Sequence, residues 1–299
     1  MLLSRQRPSS SHTREGECTG RQPAVVKRES LRLKGEQCVS SYVLSHELSG
    51  ERQRLALMSE LLDPFQRAVL KRLGLRPGWR CLEVGCGNGS ISRWLSEEVS
   101  GGGHVVASDV DTSYLADLHA SNLEVRRLNI LDSTVERGAY DLVTARAVLH
   151  HIQDRKRAIR NMLAALKPGG LLLCIEPDFL PATASEPPSL RNFWEAWLKW
   201  SSSVGIDYFL GRKMPELLAH SGVERVGAEG TTAIYNGGSP WAKYWLETVN
   251  ELRPKLVESR FLNEQSLTTF SRFYQDQHHW TSAIIFVGAW GYQPHGSLS

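Results

Sequence analysis

One short stretch of sequence decides the fold: Leu82-Glu83-Val84-Gly85-Cys86-Gly87-Asn88-Gly89-Ser90. An apolar run ends at Val84, three glycines follow within five residues, and a helical pattern with Ile91 and Leu95 comes next. Glycines at this spacing allow a tight turn and a close approach of the backbone to a ligand, which then faces the N–H groups of the helix N-terminus. The stretch therefore predicts a strand, a ligand-binding loop and a helix.

Short apolar runs on both sides of this stretch alternate with amphipathic helical patterns. Such alternation is typical of a doubly wound α/β sheet, which binds ligands at the carboxyl ends of its strands. The runs that predict strands cover residues 80–84, 104–108, 123–128, 140–144, 170–175, 224–235 and 283–289. We therefore expect a Rossmann-like sheet of seven strands.

Two helical patterns precede the first strand. Leu55, Met58 and Leu62 recur at helical spacing, and Asp63-Pro64 then offers an N-cap and a first-turn proline. We expect two helices that meet at Asp63.

Two late segments, at about residues 180–210 and 237–279, interrupt the alternation and are rich in aromatic residues. They contain five of the nine tryptophans: Trp194, Trp197, Trp200, Trp241 and Trp245. Their rings fall into helical stripes, one with Phe193 and one that follows Ser239-Pro240. Such stripes usually form buried core. Because they follow strands near the ligand end of the sheet, they also suggest a helical lid around an apolar or aromatic small molecule.

Two kinds of cofactor fit a glycine loop in this position, a dinucleotide and S-adenosylmethionine. Asp109 ends the second strand twenty residues after Gly89, where an acidic side chain accepts hydrogen bonds from ribose hydroxyls. Glu83 lies two residues before the first glycine, and its charge would repel a pyrophosphate but suit an ammonium group. Ser90 also stands where the dinucleotide pattern has its third glycine. These features favour S-adenosylmethionine.

The chain resembles the class I S-adenosylmethionine-dependent methyltransferases over roughly residues 65–178 and again at the last strand. The resemblance is greatest to the branch that includes ubiquinone and menaquinone biosynthesis enzymes and many small-molecule methyltransferases. Its motifs are residues 83–89, Val106-Ala107-Ser108-Asp109, Asn129-Ile130, Tyr140-Asp141-Leu142-Val143, Val148-Leu149-His150-His151 and Leu166-Lys167-Pro168-Gly169-Gly170.

The resemblance implies that S-adenosylmethionine is held at the carboxyl ends of the strands. The implied contacts are Glu83, Gly85 and Gly87 around the methionine part, Asp109 at the ribose, and Asn129 with Ile130 at the adenine. The family usually has Asp where Asn129 stands. An amide oxygen can still accept a hydrogen bond from the adenine amino group, so this departure weakens the contact without removing it.

Methyl transfer from a sulfonium is an in-line displacement with an activated leaving group, so alignment can supply much of the catalysis. His150 and His151 follow the fourth strand and are the candidate bases, because a histidine can deprotonate a hydroxyl or amine near neutral pH. The alternative is that one ring packs and the other is solvated. Arg146 and Tyr42 are further candidates for the cofactor site, with pairing to a carboxylate as the alternative for Arg146.

The charge distribution argues against a nucleic-acid partner. The net charge is +3, but residues 1–40 hold 8 of the 35 basic and 4 of the 32 acidic side chains, which leaves −1 for the rest. Broad binding to nucleic acid or to an anionic membrane requires clustered Lys and Arg. The Asp/Asn-Pro-Pro-Tyr motif of nucleic-acid amino methyltransferases is also missing, since Thr144-Ala145-Arg146-Ala147 stands in its place.

The cysteines and the hydropathy pattern indicate a cytoplasmic protein. The five cysteines are scattered, without the spacing of a disulfide framework or a metal site, so we expect neither. No stretch approaches the roughly 20 apolar residues of a membrane helix, and the first residues lack a secretory signal.

We therefore expect a disordered arm over residues 1–38, lid or flanking helices over 39–75, a methyltransferase domain over 76–292 that contains both lid insertions, and a tail over 293–299. The predicted activity is methyl transfer from S-adenosylmethionine to a small, hydrophobic or aromatic acceptor, at oxygen or nitrogen in preference to carbon. The alternatives are a protein or RNA methyltransferase and a catalytically silent regulator with the same fold.

Overall fold

A computed structural model describes residues 50–132 and 135–296. The large sheet contains β1 (Arg80–Val84), β2 (His104–Asp109), β3 (Leu123–Arg127), β4 (Tyr140–Arg146), β5 (Leu166–Asp178), β6 (Glu224–Thr232) and β9 (Ile285–Tyr292). Its order is β3-β2-β1-β4-β5-β9-β6, with β9 antiparallel to both neighbours and the first five strands parallel. The predicted seven-stranded α/β sheet is confirmed.

The helices are α1 (Glu51–Arg72), α2 (Ser90–Glu98), α3 (Arg155–Ala165), α4 (Pro188–Ser203), α5 (Leu210–Ala219), α6 (Pro240–Glu258) and α7 (Glu264–Gln275). Two short strands, β7 (Tyr235–Asn236) and β8 (Trp280–Thr281), form a separate antiparallel ribbon. No helix in residues 50–132 and 135–296 is long and apolar enough to cross a membrane.

The central strands are buried on both faces. Side chains alternate along a strand, so Cys81 packs into the hydrophobic cluster on one face of the sheet and Leu82 into the cluster on the other. The neighbouring strand repeats this arrangement with Val105 and Val106. Near-continuous apolar strands of this kind belong to sheets with helices on both sides, which leaves the strand ends as the accessible edge.

The prediction of two helices before β1 is wrong, because α1 is one continuous helix with Pro64 inside it. The apolar face continues through the proline, with Leu62, Val69 and Leu70 all buried. Pro64 has no N–H and so removes one helical hydrogen bond. Asp63 does not cap a second helix, since its carboxylate contacts other elements of the fold.

The aromatic segments form helices, as predicted. Helix α4 follows β5, and α6 and α7 lie between β6 and β9. Ser239 caps α6, since its Oγ accepts a hydrogen bond from the N–H of Ala242 at 3.1 Å. The rings belong to the hydrophobic cluster on one face of the sheet, so the interpretation of the stripes as buried core is correct.

We call the centre of these segments the aromatic cluster, and it consists of Phe179, Phe193, Trp194, Trp197, Tyr208, Tyr244, Trp245, Phe270 and Tyr274. Neighbouring rings meet mostly edge to face, for example Trp194 and Trp245 with centroids 5.1 Å apart. This is the arrangement that the quadrupoles of aromatic rings favour.

Among the predicted domains, the arm over residues 1–38, residues 39–49 of the segment 39–75 and residues 297–299 of the tail lie outside the described part of the chain. Tyr42 is also outside it. Their predicted roles therefore stay predictions, as do the exact domain boundaries.

Candidate functional site

The glycine loop lies between β1 and α2, and all three of its glycines have positive φ: 68° at Gly85, 57° at Gly87 and 75° at Gly89. A Cβ on Gly85 would lie 2.3 Å from Cγ2 of Val148, and one on Gly89 would lie 2.6 Å from a methyl of Leu118. Gly89 was not among the predicted contacts, yet backbone conformation and packing both exclude a side chain there. The conformation of the loop therefore requires glycine at these positions.

Asp109 joins the end of β2 to this loop. Its Oδ2 accepts a hydrogen bond from the N–H of Gly87 at 2.9 Å, and its Oδ1 accepts one from the N–H of Asp111 at 3.2 Å. The N–H groups of Gly85 and Cys86 donate to the carbonyl oxygen of Ser108 at 2.8 and 3.0 Å. The structure thus brings together the loop and the acidic residue that the spacing linked.

Glu83 is buried beneath the loop and accepts a hydrogen bond from the hydroxyl of Ser92 in α2. Burial raises the pKa of Glu83 to about 7, the Ser92 hydrogen bond and the charge of Arg146 lower it, and the charges of Asp63 and Asp109 raise it. A buried acid with a raised pKa gains stability from any cation placed beside it. The contact of Glu83 with an ammonium group stays a prediction.

Arg146, at the end of β4, pairs with Asp63 of α1. Its Nη1 lies 2.8 Å from Asp63 Oδ1, and both side chains are nearly buried. The same Oδ1 accepts a hydrogen bond from the hydroxyl of Ser90 at 3.0 Å, while Oδ2 accepts one from Arg67 at 2.9 Å. Arg146 was predicted either to join the cofactor site or to pair with a carboxylate. The structure shows the pairing, and the carboxylate, Asp63, is buried. Asp63 was predicted only as a helix cap, and its pairing with Arg146 and Ser90 emerges from the packing of α1.

Asn129 and Ile130 follow β3, as predicted. The amide oxygen of Asn129 accepts a hydrogen bond from the N–H of Leu131 at 3.0 Å and so shapes this turn. Ile130 is buried, and its carbonyl oxygen accepts a hydrogen bond from Asn161 of α3 at 2.7 Å. An amide oxygen has two lone pairs, so Asn129 keeps the capacity to accept a second hydrogen bond.

His150 and His151 lie in a short 3₁₀ turn after β4, with ring centroids 3.9 Å apart. His150 is 4% exposed, and its Nδ1 lies 2.8 Å from Oε2 of Glu176. Burial lowers the pKa of His150 to about 3, with further lowering by the charges of Arg155 and Arg54. Burial also lowers the pKa of His151 well below its usual value. Both rings are therefore neutral at pH 7, whereas an ordinary near-neutral pKa was expected.

A buried ion pair, Arg54 with Glu51, was not predicted from the sequence, and the charge of Arg54 acts on both histidines. Nε and Nη2 of Arg54 in α1 lie 2.6 and 2.7 Å from the carboxylate oxygens of Glu51, and both side chains are inaccessible to solvent. Nη1 of Arg54 also donates to the hydroxyl of Tyr244 in the aromatic cluster at 3.2 Å. Charged residues early in a helix are normally solvated, so only the packing of α6 against α1 reveals this pair.

The chain is similar to known methyltransferases. A family described as a methyltransferase domain matches residues 51–226. The ubiquinone/menaquinone biosynthesis C-methyltransferase of Vibrio campbellii is 30% identical over 133 residues, which cover 40% of this chain and 51% of the relative. The demethylmenaquinone methyltransferase of Listeria welshimeri is 28% identical over 172 residues, covering 54% of this chain and 69% of the relative.

The chain thus spans about half the length of the Vibrio relative. Among solved structures, the phosphoethanolamine N-methyltransferase 2 of Haemonchus contortus, in complex with phosphomonomethylethanolamine and S-adenosylhomocysteine, has a TM-score of 0.50. It is 17% identical, and the match covers 81% of this chain and 52% of that one, so the likeness concerns the fold. Since the family match extends from α1 to β6, over more than half of the sequence, the chain belongs to the methyltransferase domain family.

Proposed function

We propose that this chain is an enzyme that transfers a methyl group from S-adenosylmethionine to a small apolar or aromatic acceptor, at oxygen or nitrogen. One observation carries the proposal. The carboxylate of Asp109 accepts a hydrogen bond from the N–H of Gly87 in the glycine loop, and its charge acts on the buried acid Glu83 that precedes the loop. This arrangement supports Asp109 as the acceptor for ribose hydroxyls and Glu83 as the acid for an ammonium group at one backbone loop.

The residues present fit S-adenosylmethionine better than a dinucleotide. Three acids, Glu83, Asp109 and Asp63, act electrostatically around the loop, with Arg146 as the opposing charge. A pyrophosphate would meet net repulsion there, whereas the sulfonium and ammonium groups of S-adenosylmethionine would meet attraction. The chemistry that this cofactor supplies is a methyl carbon on a positively charged sulfur, an activated leaving group.

The aromatic cluster supports a small apolar acceptor. Tyr208 of this cluster has its ring centroid 5.4 Å from that of His150, so the apolar region reaches the candidate base. A ring this close to His150 would exclude water from a reaction there and contact a flat, apolar molecule. The net charge of −1 beyond residue 40 supports a small molecule over a nucleic acid. His150 and His151 stay predictions as proton acceptors.

Methylation at carbon is the second candidate. It is favoured by the similarity to the quinone biosynthesis C-methyltransferase of Vibrio campbellii. The two candidates differ in their products, because a carbon product keeps both hydroxyls of a quinol whereas an oxygen product becomes a methyl ether.

We also propose a cytoplasmic location. Its support is that the three cysteines among the described residues, Cys81, Cys86 and Cys174, are buried and form no disulfide, which suits a reducing compartment.

The proposal is tested with S-adenosylmethionine that carries a labelled methyl group. The protein is incubated with separate small phenols, naphthoquinols and aromatic amines, and products that gain one methyl group are located by mass spectrometry and NMR. We expect transfer to at least one of these acceptors. Absence of S-adenosylhomocysteine binding in calorimetry would contradict the proposal, as would transfer to protein or RNA alone.

A matched pair of glycine variants serves as the control. Gly85→Ala combines a strained positive φ with a clash against Val148, whereas Gly101 has a φ of 86° and no atom within 4 Å of the place that a Cβ would take. Both substitutions carry the conformational cost of alanine at positive φ. We expect Gly85→Ala to lose transfer and cofactor binding, and Gly101→Ala to keep both.

A further inference from the structure

The carboxylate of Glu176, near the end of β5, collects four donors from the turn that carries the histidines. Oε1 accepts from the N–H groups of Val148 at 3.1 Å and Leu149 at 2.8 Å. Oε2 lies 3.2 Å from the N–H of His150 and 2.8 Å from its ring Nδ1. Glu176 is fully buried, so these contacts replace all of its hydration.

The turn is held from its other side as well. The carbonyl oxygen of His150 accepts a hydrogen bond from the N–H of Asp207 at 2.9 Å, and that of Leu149 accepts one from Arg155 Nε at 3.2 Å. Val148, at the start of the turn, packs so closely on the glycine loop that Gly85 has no room for a Cβ. Val148 therefore contacts the glycine loop, and His150 follows it by two positions in the same fixed turn.

A carboxylate behind one nitrogen of an imidazole decides where the ring proton sits. An ionised Glu176 can only accept, so Nδ1 of His150 must carry the hydrogen and the lone pair must lie on Nε2. Burial raises the pKa of Glu176 to about 7, while backbone hydrogen bonds from Leu149 and its neighbours oppose the rise. Above pH 7 the carboxylate is ionised and the ring of His150 is neutral.

We propose that Glu176 is a positioning residue that holds His150 in the tautomer protonated on Nδ1, so that Nε2 takes the proton of an O–H or N–H acceptor during methyl transfer. The inference rests on the proposed function and limits its acceptors to nucleophiles that lose a proton.

The step balances in atoms and charge. The O–H or N–H bond of the acceptor breaks, its proton moves to Nε2 of His150, and the freed electron pair forms the bond to the methyl carbon. The electron pair of the broken carbon–sulfur bond stays on sulfur. The resulting imidazolium is stabilised by the carboxylate of Glu176.

Glu176→Gln tests the proposal, because the amide NH₂ can donate to Nδ1 and force the ring proton onto Nε2. The ¹⁵N signals of the His150 ring are recorded at pH 8 with S-adenosylhomocysteine bound and assigned with a His150→Gln variant. We expect Nδ1 to be protonated in the wild type and Nε2 in Glu176→Gln. Asp178→Asn changes a buried acid two residues further along β5 that pairs with Arg212, and it should keep the wild-type tautomer.

Turnover is then measured with an acceptor from the labelled-methyl experiment. In a serine protease, replacing the carboxylate behind the catalytic imidazole by an amide lowers kcat by about 10⁴-fold. We therefore expect Glu176→Gln to lower kcat by about 10²–10⁴-fold. The affinity for S-adenosylhomocysteine should change by less than about threefold. His150→Asn keeps a donor toward Glu176 but lacks Nε2, so it should fold and show the same loss even if Glu176→Gln does not fold.

Three results would overturn the inference. One is a wild-type ring protonated on Nε2, another is an unchanged tautomer in folded Glu176→Gln, and the third is a further loss of kcat when Glu176→Gln is added to His150→Gln. The last would show that Glu176 does not act through His150. Failure of the proposed function looks different, because the wild type would then bind no S-adenosylhomocysteine, while the tautomer of the His150 ring would still be measurable in the protein without this ligand.

Discussion

The acids at the glycine loop are hydrogen-bonded, whereas in the aromatic cluster a buried polar atom has no partner among the described residues. Glu83 has Ser92, and Asp109 has the N–H of Gly87. By contrast, the indole N–H of Trp197 is buried with no hydrogen-bond acceptor among the described residues. An unmet N–H costs about 1–3 kcal/mol, which the burial of a whole indole can offset. The acids at the loop would suit the charged ligand that we propose, whereas the cluster is held together by apolar contact.

The largest effect is expected in the aromatic cluster, where a substitution of Trp194 should lower the stability of the fold. The side chain of Trp194 is fully buried, so Trp194→Ala should lower the free energy of unfolding by about 3–5 kcal/mol through the cavity that it leaves. Trp280, 61% exposed, is the matched control, and Trp280→Ala should change stability by less than about 0.5 kcal/mol. Urea denaturation measures both. Equal effects of the two variants would contradict the role of the cluster as core.

The glycine loop and its acidic partner could be predicted from the sequence because the residues that define them lie close together in the chain. Three glycines within five residues and an acid at the end of the next strand identify a cofactor loop without knowledge of packing. Asp109 indeed reaches this loop, through a hydrogen bond from Gly87. The strands were predictable for the same reason, since alternation with helices is a short-range pattern.

The residues that sequence analysis missed act across long separations. Glu176 reaches back 26 residues to His150, and Asp63 accepts a hydrogen bond from Arg146, 83 residues further along the chain. Arg54 contacts Tyr244 across 190 residues. Burial also determines the pKa values of both histidines, and the turn sequence carries no information about burial. Such features depend on which elements pack together, so they emerge only from the structure.

Asp109 tests the loop side with an effect of intermediate size. Asp109→Ala removes both the predicted ribose acceptor and the acceptor for the N–H of Gly87. Hydrogen bonds that involve a charged group contribute about 1.5–3 kcal/mol, so affinity for S-adenosylhomocysteine should fall by about 10–100-fold in calorimetry. Asp117→Ala alters an exposed acid in the segment after β2 and should leave affinity unchanged. Wild-type affinity in Asp109→Ala would refute the ribose assignment.

The smallest effect concerns the proton on Glu83. In the cofactor-free protein burial raises the pKa of Glu83 to about 7, so below pH 7 most molecules carry this proton. The charged groups that act on it are Asp63 of α1, Asp109 of β2 and Arg146 of β4. An ammonium group beside Glu83 would favour its ionised form and lower its pKa. Cofactor binding below pH 7 should therefore release up to one proton.

The sign of the pH dependence follows from this release. Because binding expels a proton, affinity for S-adenosylhomocysteine should rise as the pH increases from about 5.5 to 7, by at most about tenfold for each pH unit, and level off near pH 7. Calorimetry at pH 6 in buffers with different ionisation enthalpies counts the released protons. Glu83→Gln has no proton to release, so its affinity should be lower and flat over this range. The same slope in wild type and variant would show that Glu83 does not face the ammonium group, and the loop would then lose its electrostatic contrast with the aromatic cluster.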